Sequence, residues 1–112
     1  MKIDALVRDL GLTVYTTLPE VEKEVDGAYV SDLLSDVMGN AREGQAWITL
    51  QSHANVVAIA ALKELPAVIL VKGIVPGEEL IRKAEVEGVV LLGSRESAFD
   101  TAGKLYALLK NR

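Results

Sequence analysis

Two short apolar runs, Ala67-Val68-Ile69-Leu70-Val71 and Val89-Val90-Leu91-Leu92, most constrain how this chain folds. Neither alternates with polar residues, as a strand does when one of its faces meets water. Both read as strands covered on both faces, the habit of parallel sheets. A third run, Ala46 to Leu50, carries Trp47 and the β-branched pair Ile48-Thr49. A helix-sized segment follows each of the three, so the chain from Gln45 onward reads as βαβ units with right-handed crossovers. The fold class this predicts is α/β: three layers, a mainly parallel sheet with helices on both faces.

Strands are expected near 12–15, 28–30, 46–51, 67–72 and 89–92, the last three being parallel neighbours. Ile3, Leu6, Val7 and Leu10 recur at helical spacing before the stop signal Gly11. Glu20 to Asp26 reads as a charged, solvated connector. A helix over Leu33–Met38 is expected to take Ser31 or Asp32 as its cap and to end at Gly39 and Asn40. A nearly all-apolar helix spans Val56–Leu65. Pro76 fits the first helical position of the next, with Glu78 and Glu79 in its first turn and Leu80, Ile81 and Ala84 inward. The last helix, about Glu96 to Leu109, is expected to use Ser94 as its cap and to bury Ala98, Phe99, Ala102, Leu105, Tyr106 and Leu109.

The 112 residues fit one domain, 1–112, with a single core. Sixteen acids against twelve bases leave a net charge of -4, and the bases are scattered. That pattern lacks the cationic footprint of a nucleic-acid binder. With no cysteine the chain forms neither disulfides nor thiolate sites for zinc or iron-sulfur clusters. Met1 opens a charged amphipathic segment, and the longest apolar runs, about ten residues, are too short to span a bilayer. A cytoplasmic location without a membrane partner is the expectation. A mean hydropathy of +0.26 is more apolar than one small core readily hides. It predicts a homodimer through Tyr29, Val30, Leu33 and Leu34, or through the face of the helix from Val56 to Leu62.

Ligands of open parallel sheets bind beyond the strands' carboxyl ends, where helix N-termini present unpaired amides. Three turns fall there. The third carries Arg95 and Ser97 as well as Ser94; the candidates taken from the three are Gln51, Ser52, His53 and Asn55 in the first, Lys72 and Gly73 in the second, and Ser94 in the third. These seven are the candidate ligand-binding residues, and an anionic metabolite or nucleotide is the class they suit. His53 is the lone histidine; with no second histidine and no nucleophile elbow beside it, no catalytic or metal residues are assigned. The patterns G-x-x-x-x-G-K-[ST] and G-x-G-x-x-G are absent, and no cofactor is expected. The alternative is a small enzyme using His53 as acid and base.

The run Ala67 to Pro76, followed by Glu79-Leu80-Ile81, Ala84, Gly88 to Leu92 and Ser97 to Ala102, resembles the DRTGG domain family and the similar N-terminal domain of HPr kinase/phosphorylase. The resemblance covers about Val30 to Leu109 and implies a stand-alone regulatory module that meets a small ligand or a protein partner. Where the family's eponymous motif would fall, this chain reads Gln51-Ser52-His53-Ala54-Asn55. No residue role is therefore carried over from it.

Overall fold

The computed structural model describes residues 1–19 and 23–111. In chain order it places α1 (Ile3–Leu10), β1 (Thr13–Val14), β2 (Gly27–Val30), α2 (Leu34–Asn40), β3 (Gln45–Thr49), α3 (Asn55–Leu62), β4 (Val68–Leu70), α4 (Glu78–Glu87), β5 (Leu91–Gly93) and α5 (Ala98–Lys110). The strands form one sheet in the order β1-β5-β4-β3-β2. Four of them run parallel, and β1 closes the β5 edge antiparallel.

The non-alternating runs do bury both faces. Trp47, Val68, Leu70, Val89 and Leu91 point to the side covered by α2, α3 and α4. Ala46, Ile48, Ala67, Ile69, Val71, Val90 and Leu92 point to the side covered by α1 and α5. Each strand thus feeds two separate cores through successive side chains, because a strand's side chains alternate faces. Trp47 is fully buried, and its indole N–H donates to the Ser31 carbonyl at 2.8 Å, which satisfies the one polar atom it brings inside.

Helix ends explain most departures from the sequence reading. The helix expected to reach Leu65 stops at Leu62, because Glu64 turns left-handed at φ 55. Leu65 then donates to the Ala60 carbonyl and Glu64 to that of Ala61, the paired bonds of a Schellman end. The same end recurs at α4 with Gly88 in the left-handed position, which is the residue that adopts it without strain. Helix α2 runs on through Gly39 to Asn40, and neither Ser31 nor Asp32 caps it. Helix α5 takes Ser97 as its cap, the hydroxyl accepting the Asp100 amide at 3.1 Å, in place of Ser94.

Two side chains expected in the core are outside it. Phe99 is 85% exposed and Tyr106 65%, so α5 packs through Thr101 and Leu105 and turns both rings to solvent. The connector Glu20–Asp26 lies partly outside the described residues. Its described part is no solvated loop: Val25 is fully buried and donates its amide to the Met1 carbonyl.

Candidate functional site

The parallel strands bring the three turns to one edge, since β3, β4 and β5 are neighbours pointing the same way. At that edge each turn is held by its own hydrogen bonds. Asp32 clamps the start of the β3–α3 loop: its carboxylate accepts from the Thr49 hydroxyl at 2.8 Å and from the Leu50 amide at 2.7 Å, and its carbonyl from the Gln51 side-chain amide at 3.0 Å. Asp32 therefore joins two loops instead of capping α2. Ser52 and His53 are exposed. The His53 Nδ1 accepts the Asn55 amide at 3.1 Å, so the ring caps α3, whose flanking residue Ala54 carries no acceptor on its methyl side chain.

The second turn is backbone-strained. Lys72 and Gly73 both have positive φ, 60 and 69, and the Ile74 amide closes back on the Val71 carbonyl at 3.3 Å. Two left-handed residues inside such a closed turn are the mark of type I′. The amides of Lys72 and Gly73 are donated to the carbonyls of Glu96 and Ser94, at 2.7 and 2.9 Å. They brace the third turn and do not face outward. The Ser94 side chain is buried as well, sharing a 2.8 Å hydrogen bond with Thr101 and accepting the Glu96 amide.

A hollow of about 170 Å³ opens beside these braces, between β1 and the loops after β4 and β5. Tyr15, Gly73, Ile74, Gly93, Ser94 and Arg95 contribute to its wall. Of the seven candidate residues, Gly73 and Ser94 reach it; Gln51, Ser52, His53, Asn55 and Lys72 do not line it. Tyr15 is a lining residue that the sequence did not suggest, while Arg95 stood in the third turn without being among the seven. The signal for Arg95 was its place between Ser94 and the α5 cap; for Tyr15 there was none, because only the β1–β5 pairing brings it there.

Helix electrostatics sharpen the choice of anion position. The first turns of α4 and α5 already hold Glu78, Glu79 and Asp100, which satisfy those dipole ends and repel a second negative charge. Arg95 is exposed and takes part in none of the described ion pairs. A larger cleft, about 570 Å³, lies at the opposite, amino edge of the strands. Asp26, Glu43, Glu64 and Glu87 line it, while the Lys23 ammonium there donates to the Gly88 carbonyl. Its charge disfavours an anion.

On the β2 side, Asp36 accepts from the Tyr29 phenol at 2.9 Å and from the Asn40 amide at 3.0 Å. Hydrogen bonds from Ser31, Tyr29 and Asn40 outweigh partial desolvation and hold its carboxyl below the usual carboxylate range. The same bond to Asp36, with desolvation and its negative charge, raises the Tyr29 phenol above its ordinary value.

Among the described residues no helix is long and apolar enough to cross a membrane, and no group of acidic or histidine side chains is placed to hold a metal ion. No protein-family model matches the chain, and no curated protein does. Among solved structures, the CBS and DRTGG domains of the regulatory region of Clostridium perfringens pyrophosphatase, complexed with its activator diadenosine tetraphosphate, are similar with a TM-score of 0.76 and 15% identity. The match covers 92% of this chain and 45% of that one. At that identity the likeness shows the fold alone: a five-stranded, mainly parallel sheet with helices on both faces, shared with part of that structure.

Proposed function

We propose that this chain is a non-catalytic regulatory module that recognises a small anionic metabolite or nucleotide at the carboxyl edge of its parallel strands and works as a homodimer. The observation that carries the reading is the hollow beside Gly73, Gly93 and Ser94, walled by Arg95, in a fold similar to that of a regulatory region whose solved complex holds a nucleotide activator. Volume decides how such a ligand sits. Pockets that enclose whole small molecules measure roughly 300–1,000 Å³, and 170 Å³ is room for a phosphoryl group, not for a base and sugar. The charged group enters the hollow, and the remainder lies outward toward Lys72 and the 51–55 loop.

Binding is modest and salt-sensitive, because a partly exposed cation contributes about 1 kcal/mol and salt screens it. The commitment of His53 Nδ1 to the Asn55 amide favours a binding role for that loop over acid-base chemistry. Titration with inorganic phosphate and then ATP, followed by backbone chemical shifts, tests the site. Shifts at Gly73 and Gly93–Arg95, with affinity falling about tenfold in Arg95→Ala, support it. Shifts clustered near Glu43 and Glu87, or none, reject it. Transfer of phosphate from ATP to a protein would overturn the non-catalytic reading.

A further inference from the structure

We infer that the outward stripe of α5 is the face through which two copies of this chain associate, with the two helices antiparallel about a two-fold axis. This rests on the proposed homodimer and assigns its surface. Phe99, Gly103, Tyr106 and Lys110 follow one another at spacings of four, three and four, which places them in one line along a helix. The line faces away from the sheet: Phe99 and Tyr106 are 85% and 65% exposed, and nothing lies within 4 Å of where a Gly103 Cβ would be. A small domain gains little by holding two rings in water, and aromatic side chains enrich the anchors of protein interfaces.

The pattern is complementary to itself. An axis passing between Lys104 and Leu105 sets each Tyr106 over the partner's Gly103, a ring against the one position on the stripe with no side chain. It sets each Phe99 by the partner's Lys110, whose ammonium already lies 5.3 Å from the centroid of the Tyr106 ring in its own helix. Cation and aromatic face attract, more strongly once water is removed. The acidic first turn at Asp100 then meets the basic last turn at the partner's Lys110, and the two helix dipoles oppose.

The faces expected from sequence serve less well. Val56, Val57, Ile59 and Ala60 are buried in the domain itself, which leaves Ala58 and Leu62 as the exposed apolar residues of α3, with no ring among them. Val30 and Leu33 are exposed, but Tyr29 and Leu34 pack on the core, and self-pairing there would bring Asp26 and Asp32 of both copies together.

A helix of 13 residues is about 20 Å long, so a contact centred on it stands at the low end of stable interfaces and exchanges in the micromolar range. Sedimentation of the wild-type chain from roughly 10 to 500 µM should show a monomer–dimer equilibrium in that range. Gly103→Gln fills the hole while favouring the helix, and Phe99→Lys removes the ring and places an ammonium against the partner's Lys110. Both should stay folded by circular dichroism and weaken the dimer at least about tenfold. A wild-type chain that remains monomeric throughout overturns self-association altogether. A dimer that survives in both variants overturns this face while leaving the dimer standing.

Discussion

The ring of Tyr15 occupies the space that a side chain at Gly93 would need: a Cβ there would lie 2.7 Å from its Cε2 and 3.3 Å from its hydroxyl. The Tyr15 amide also donates to the Leu91 carbonyl at 2.9 Å, so both ring and backbone fix this residue to β5. Gly93→Ala should push the ring away and cost about 1–3 kcal/mol, as over-packing does. Adding Tyr15→Ala should recover much of that loss. A double-mutant cycle from urea midpoints measures the coupling, and strictly additive effects would contradict the contact.

Glu64 holds a left-handed conformation that the equivalent ends of α1 and α4 give to Gly11 and Gly88. A left-handed turn costs an L-residue about 1–2 kcal/mol, partly offset by the extra chain entropy glycine loses on folding. Glu64→Gly is therefore expected to raise stability by roughly 0.5–1 kcal/mol, seen as a higher urea midpoint at unchanged slope. Glu64→Val, β-branched at the same φ, should lower it.

Gly44 combines φ 90 with the Asp26 carboxylate, whose oxygens would stand 2.7 and 2.9 Å from an added Cβ. Gly44→Ala should lose about 1–3 kcal/mol. Asp26→Ala in the same chain relieves the clash alone, so only part of the loss returns. Full recovery would show that backbone strain contributes nothing.

The Tyr29–Asp36 pair predicts a pH effect whose sign follows from the direction of the shifts. Asp36 is held below the usual carboxylate range, so its contribution is complete above its unfolded pKa and fades as pH falls through the lower folded value. Tyr29 is raised, so its part is complete below its unfolded pKa and fades as pH rises through the higher folded one. Tyr29→Phe should flatten both limbs of a plot of urea midpoint against pH, and identical profiles would reject the linkage.

The indole of Trp47 donates to the Ser31 carbonyl from a fully buried site. Trp47→Phe leaves that carbonyl unpaired and opens a void, for about 2–4 kcal/mol. As the single tryptophan, Trp47 should emit at short wavelength in the folded state and shift to the red on urea unfolding.

Strand positions and the layer order were legible because both rest on continuous apolar runs: Ala67–Val71 and Val89–Leu92 had to be covered twice, and α1 to α5 cover them. The edges of that signal were less legible. Phe99 and Tyr106 lie beside Ala102 and Leu105 in a helix, and hydrophobicity alone placed them inward; the width of the face α5 presents is set by its neighbours. Ser94 and Ser97 both suit a cap, and the buried bond to Thr101 claims the first. The candidate site depended on which loops touch across the sheet. Tyr15 precedes Gly93 by most of the chain's length, and no local pattern announces that meeting.

Because Lys72 and Gly73 give both their amides to the backbone of Ser94 and Glu96, the loops after β4 and β5 move as one piece. Releasing either requires two hydrogen bonds to break and a strained turn to relax in the same event. Amide exchange at Lys72 and Gly73 should accordingly follow one shared opening rate. A ligand that touched only the first loop would alter the solvent protection of the second, at the root of the helix that carries Phe99.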